Sequence, residues 1–406
     1  EISACLVGSE MCIRDSSLMP NPKWFQQAKP TCSIVPIRRF VTDSVFALKN
    51  GGYGCMFALS GIDDEGLTDE VVEDAIRRVQ GAFKSLPEHG RLYQYVRVRK
   101  GFDIPRQEHY SNPRVEAVVR DRIAFLNERA NFRDIELFWV VTVEPPKKNS
   151  FGSKSLSPQQ FERQTSRYIA QIERTAEMLT VQLEELLGLR LLAGDDVVSF
   201  WAYLLNLEPW ALPTKLASRE RVDTQLVRSS IQWTDEHLRI GKQYAQFFSL
   251  LDSPGGSRPN FFGALQSIDA NIILCSQWIP RSRDEVQKRI GQLEGFAGIF
   301  RHRLLAVAAN MRNPQNLEKS VRAKAADKGS DKLAEVLNSI DNEGHDFGEY
   351  SFFGLVHSRD QQEVLEAMPL VSKALVDIQA PATEETQGNL SAYYAMLPGN
   401  STGDAA

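Results

Sequence analysis

Arg91-Leu92-Tyr93-Gln94-Tyr95-Val96-Arg97-Val98-Arg99-Lys100 is a near-regular alternation. Side chains of a β-strand point alternately to opposite faces, so Leu92, Val96 and Val98 share one face and Arg91, Tyr93, Tyr95, Arg97 and Arg99 the other. The pattern predicts a half-buried strand. Working upstream, Ile34 to Phe40, Val45 to Lys49 and Cys55 to Leu59 read as strands, the last entered through the turn Gly51-Gly52-Tyr53-Gly54. Between them and Arg91, the residues Leu67, Val71, Val72, Ala75, Ile76, Val79 and Phe83 recur at helical steps, with Thr68 placed to cap the first turn. Downstream, Val115, Val118, Val119, Ile123 and Leu126 form a second helical stripe. Ile135 to Val143 is apolar on both faces, as a central strand covered by helices should be. The order is β-β-α-β-α-β, an α+β sandwich of ferredoxin-like character spanning residues 17–150.

Glu144-Pro145-Pro146-Lys147-Lys148-Asn149-Ser150 reads as a linker, because two prolines forbid continued strand pairing. After it, Ser157-Pro158-Gln159-Gln160 is a capping box with proline at the first helical position. Phe161, Tyr168, Ile169, Ile172, Leu179, Leu183 and Leu186 extend a long helix, and Asp195 to Leu207 continues helically, so 151–220 is expected to be a helical connector. A second α+β subdomain is expected over 221–400. It has a strand-like segment His237 to Leu251, a turn Asp252-Ser253-Pro254-Gly255-Gly256 and an apolar strand Asn271 to Trp278. A helical hairpin follows (Arg283 to Asn310, Lys332 to Ile340), then a strand from Phe347 to Val356 and a final helix opened by Asp360 and Glu363. Its order echoes the first subdomain and suggests a structural duplication.

The chain has 406 residues, 42% hydrophobic and 24% charged, with a net charge of −5. That length exceeds one ordinary domain, and the balance suits a foldable protein while arguing against a wholesale nucleic-acid binder. No apolar run approaches the roughly 20 residues of a membrane span. Glu1 to Ser16 resembles a translated adapter sequence and is set aside as non-native; Glu1, Glu10, Arg14 and Asp15 spoil a signal-peptide reading. Of the remaining cysteines, Cys32, Cys55 and Cys275 are scattered and odd in number, which suits a reducing compartment.

Catalytic motifs are sparse. His89, His109, His237, His302, His345 and His357 lack zinc-ligand spacing, and no Gly-x-Ser-x-Gly elbow occurs. Asp63-Asp64 and Asp195-Asp196 read as loop and helix-start acids. Gly51 to Gly54 leads into a strand and Gly255-Gly256 lacks a following lysine, so neither is a phosphate loop. The sequence contains no Gly-x-x-x-x-Gly-Lys-Ser/Thr string. One patch carries functional promise: Arg91 to Arg133 holds ten Lys or Arg against five acids. A face with Arg91, Tyr93, Tyr95, Arg97 and Arg99 can stack bases and neutralise phosphates, or receive an acidic partner or lipid headgroups. A covered or solvated sheet face is the plainer reading.

The stretch Gly388-Asn389-Leu390-Ser391-Ala392-Tyr393-Tyr394-Ala395-Met396-Leu397-Pro398-Gly399-Asn400 resembles the segment that closes the N-terminal domain of the conjugation and type IV secretion ATPases of the CagE/TrbE/VirB family. Tyr244 to Leu250, Ser257-Arg258-Pro259 and Ile272 to Trp278 resemble that family's strand, Arg-Pro turn and strand, and Phe347-Gly348-Glu349-Tyr350 fits behind the hairpin. At Asn260 the chain departs from the glycine that usually follows the proline. The resemblance covers about Phe40 to Asn400. It implies a docking and oligomerisation domain, with 401–406 leading toward an absent ATP-hydrolysing domain that would bind ATP and magnesium. It also implies a bacterial protein, cytoplasmic and peripheral at the inner membrane, that forms a homo-oligomer and works with other type IV secretion components. No cofactor is expected in this chain, which is expected to be inactive alone. The alternative is a nucleic-acid-binding α+β module using residues 91–133.

Overall fold

The computed structural model describes residues 31–62, 66–87, 89–101, 110–129, 132–144, 157–208, 221–234, 237–250, 261–282, 285, 347–386 and 388–400. The expected segment 1–16, linker residues 145–150, the Asp63-Asp64 pair, the Gly255-Gly256 turn, the helical hairpin and 401–406 lie outside them. The chain divides into two compact units, one reaching Gln277 and resuming at Ser351, the other Trp278–Tyr350. In the second, Arg281 pairs with Glu349 at 3.1 Å, and a Cβ on Gly348 would stand 2.5 Å from the Ile279 carbonyl oxygen.

The chain is mixed α+β. Its elements run β1 (Ile37–Phe40), β2 (Phe46–Leu48), β3 (Tyr53–Leu59), α1 (Asp69–Phe83), β4 (Gly90–Lys100), α2 (Pro113–Arg129) and β5 (Arg133–Val143). Then follow α3 (Pro158–Leu187), β6 (Arg190–Leu191), α4 (Asp195–Asn206), α5 (Val222–Leu226), β7 (Ile231–Trp233), β8 (Leu238–Ile240) and β9 (Gln243–Leu250). The last are α6 (Gly263–Gln266), β10 (Asn271–Arg281), β11 (Phe347–Ser358), α7 (Gln361–Asp377), β12 (Ala382–Glu385) and α8 (Asn389–Met396). The strands form one sheet in the order β1-β2-β3-β5-β4-β10-β11-β9-β8-β7, with β6 beside β3 and β12 beside β9. The order is a palindrome. A hairpin leads into β3 and another into β9. The third strand of each set, β5 or β11, lies between the first and the second, and β4 meets β10 in the middle.

Local chemistry sets these elements. Ser157 accepts from the Gln160 N–H while the Gln160 side chain accepts from the Ser157 N–H, so the expected capping box closes the start of α3. Gly188, at φ +59, ends that helix in the left-handed conformation glycine adopts at least strain. Ile172, Ala176, Leu179, Leu183 and Leu187 are the buried stripe of α3. Thr68 precedes α1 but its side chain makes no capping bond. The expected single strand His237 to Leu251 is instead a tight hairpin, β8 and β9, turned by Gly241 at φ +61.

The two expected subdomains share one core. Val197 to Asn206 of α4 are all buried except Ser199. Phe200 meets Tyr95 edge-on at 5.1 Å, Trp201 meets Phe46 at 5.9 Å, and Tyr393 of α8 meets Phe247 at 6.2 Å. One cluster therefore joins Val35, Tyr93 and Val140 to Phe247, Ile273 and Leu355 through α4 and α8. On the opposite face, Phe83 of α1 packs on Trp139 and Tyr168 of α3 stacks on Tyr53. Val364, Met368, Val371 and Leu375 of α7 there cover Phe248, Leu274 and Val356. The segment expected as a connector thus contributes α3 and α4 to the layers on both faces.

Candidate functional site

The face of β4 singled out from the sequence splits in two. Tyr93 and Tyr95 are 0% and 1% exposed. They lie in the core cluster with α4 and offer no ring to solvent, so base stacking on them is corrected to packing inside the protein. The reason lies in α4, which is apolar nearly all round and must be covered on every side. Arg91, Arg97 and Arg99 keep their charge but have partners. Arg91 pairs with Glu144 at 3.0 Å. Arg97 and Glu136 are direct cross-strand neighbours and bond to one another, as are Arg99 and Asp134. The surplus of positive charge along 91–133 is largely cancelled here by acids on the adjacent strand.

The buried tyrosines hold the Leu397-Pro398-Gly399-Asn400 stretch. Tyr95 donates its hydroxyl to the Met396 carbonyl, and the Tyr93 hydroxyl accepts from the Gly399 N–H at 3.0 Å. Asn50 donates to the Gly399 carbonyl and Asn400 to the Ile34 carbonyl, each at 3.0 Å. At the other end of α8, Asn389 accepts from the Phe247 N–H at 3.1 Å. Gly399 sits at φ +94, where a Cβ would be 2.7 Å from Leu48, so glycine is required on two counts. Burial raises Tyr93, Tyr95 and Tyr393 well above the ordinary phenol range, keeping all three protonated as hydrogen-bonding groups.

Beyond Tyr95 the same face opens into a cleft of about 270 Å³ walled by Arg97, Glu136, Phe138, Arg190, Asp196 and Phe200. Asp196, in the first turn of α4, pairs with Arg190 at 3.2 Å. From this cleft a chain of polar groups runs inward. The Arg97 guanidinium lies 4.3 Å from the Tyr203 ring centroid, and the Tyr203 hydroxyl meets His357 Nε2 at 3.2 Å. His357 Nδ1 meets Gln243 Oε1 at 3.1 Å, and Gln243 Nε2 donates to Glu208 at 3.1 Å. Since Gln243 offers its oxygen inward, His357 carries its proton on Nδ1 and Nε2 accepts from Tyr203. Burial, aided by the Arg97 charge, pushes His357 down to about 3, so the imidazole is neutral. Burial likewise raises Tyr203 to about 12.

Sequence reading missed this chain because its members lie far apart and share no motif. It also missed Asp223, which is fully buried yet paired with Lys49 at 2.7 Å and Arg221 at 2.6 Å.

Cys55 and Cys275 are buried, and burial lifts both thiols to about 12, far from the thiolate form a nucleophile needs. Among the described residues no three His, Cys, Asp or Glu gather as metal ligands, and no helix is long and apolar enough to cross a membrane. Compared with protein-family models and with curated protein sequences, the chain matches none.

Proposed function

We propose that this chain is the N-terminal docking and oligomerisation part of a bacterial type IV secretion or conjugation ATPase of the CagE/TrbE/VirB kind. In this reading each half of the sheet is a ferredoxin-like-type unit. The strand order supports it, because β5 is antiparallel to both β3 and β4 and lies between them, and β11 lies likewise between β10 and β9. The protein would work at the cytoplasmic side of the inner membrane beside other secretion components, with ATP and magnesium handled by a following domain.

The observation that carries this reading is the seating of Leu397 to Asn400. The stretch that resembles the end of the family's N-terminal domain is tied by Asn50 to the turn between β2 and β3, by Tyr93 to β4 and by Asn400 to the segment just before β1. Such fastening suits a firm hand-over to a motor. The test is the coding sequence beyond the Ala406 codon. A Gly-x-x-x-x-Gly-Lys-Ser/Thr loop within a few dozen codons is expected, and a following domain of another kind overturns the assignment.

A further inference from the structure

We propose that two copies of this chain pair through the outward side of α3, the two helices running antiparallel about a two-fold axis. The inference rests on the oligomerisation part of the proposed function and names the surface. Opposite its buried stripe, α3 exposes Arg167, Ala170, Arg174, Glu177, Val181 and Glu184, and Val181 is 79% exposed. These residues follow one another at alternating steps of three and four, the spacing that keeps side chains in one line along a helix. Arg163 and Glu185, also exposed, extend the line at its two ends. Cations therefore fill its first half and anions its second. Glu162 and Glu173, the remaining charged residues of α3, are exposed but stand about a quarter-turn or more round the helix from that line. Among the described residues, none of the Arg and Glu side chains in the line has an ion-pair partner, although Arg174 and Glu177 are one turn apart.

This order of charge runs against the helix's own field. The first turn of α3 holds no acid and the last no base, and Glu184 and Glu185 stand at the negative end of the macrodipole, where a cation would be favoured. A second copy running the other way removes the conflict. Laid antiparallel on itself, the line sets Arg167 across from Glu184, Ala170 from Val181 and Arg174 from Glu177, and brings Arg163 near Glu185. Two-fold symmetry makes each of these contacts twice. A parallel pairing would instead set like charge on like. The surface is thus complementary to itself, which is what an isologous interface requires, and it closes at two copies. Because only Ala170 and Val181 of the line are apolar, the attraction is chiefly electrostatic and must fade as salt rises.

Sedimentation equilibrium of the full chain tests this. A dimer is expected at about 0.05 M salt and is expected to weaken at about 0.5 M, where charges are screened. Arg163→Glu with Arg167→Glu, and separately Glu184→Arg with Glu185→Arg, should each weaken self-association by about tenfold or more. An equimolar mixture of the two variants should restore the dimer, because each reversed half then meets an opposite charge. A single chain carrying all four substitutions should pair with itself for the same reason. The Glu184→Arg, Glu185→Arg variant also relieves the dipole conflict, so its melting temperature should hold or rise, which separates lost association from unfolding. A monomeric wild type, self-association indifferent to both variants, or a failure of both the mixture and the fourfold variant to restore the dimer overturns the inference. The family assignment is decided separately by the coding sequence beyond Ala406, so a monomer whose gene continues into an ATPase leaves that assignment standing.

Discussion

At Tyr93 and Tyr95 the β4 face lies beneath α4 and α8, whereas beyond them the same face borders a cleft at Arg97 and carries ion pairs at Arg97 and Arg99. The strand does not change character between them, but its neighbours do. Across the ladder, Tyr93 and Tyr95 oppose Val140 and Phe138, while Arg97 and Arg99 oppose Glu136 and Asp134. Above, α4 sets Phe200 against Tyr95 but offers Asp196 and Ser199 to the cleft. An alternating strand says which residues share a face. Only the pairing register and the next layer decide whether that face is core or surface.

The sharpest way to break this comparison is at the sealed end. Tyr95→Ala should cost about 3–5 kcal/mol in urea unfolding, since it leaves a cavity among aromatic rings. Tyr95→Phe, which keeps the ring but strands the Met396 carbonyl, should cost only about 1–2 kcal/mol. Equal, small losses would mean that the face is not sealed. Between the two ends stands His357. Its pKa of about 3 in the fold lies below its ordinary 6.5, so from roughly pH 6.5 down to 3 the unfolded chain binds the extra proton. Stability from this group is therefore intact above pH 6.5 and falls with acidity by up to about 1.4 kcal/mol per pH unit. His357→Gln should flatten that part of the profile, and an unchanged slope would show that other groups govern it. Smallest of all should be Arg190→Ala at the cleft, where a mostly exposed pair with Asp196 contributes below about 1 kcal/mol. A larger loss in chemical denaturation would mark the cleft as part of the core.

Much of the framework was legible in the residues themselves. The capping box at Ser157, the helix start at Asp360, the turn at Gly51 and the alternation of β4 each depend on neighbours within a few positions, where side-chain spacing is a direct guide. The echo between the halves was visible as element order, and the strand order now gives it a spatial form. What escaped was everything decided at long range. Ten bases against five acids in one segment looked like a cationic face because Asp134 and Glu136 follow just beyond the counted window. The Tyr203, His357, Gln243 and Glu208 chain was invisible for the same reason. The hairpin of β8 and β9 escaped differently, because Gly241-Lys242 is a short turn signal inside an otherwise continuous strand pattern.

The bond from Asn400 to Ile34 joins residues separated by 366 positions, and that distance is also a waiting time. At about 5–20 residues per second, a ribosome needs tens of seconds after placing Ile34 before Asn400 exists. Within that interval the tyrosine face of β4 stands bare only until α4 is made, but its seat for Gly399 stays empty until the turn after α8 has been added. The nascent chain therefore carries an unfilled seat at Tyr93 and Tyr95 until this final segment is made. It is the kind of substrate on which a ribosome-associated chaperone has most to do.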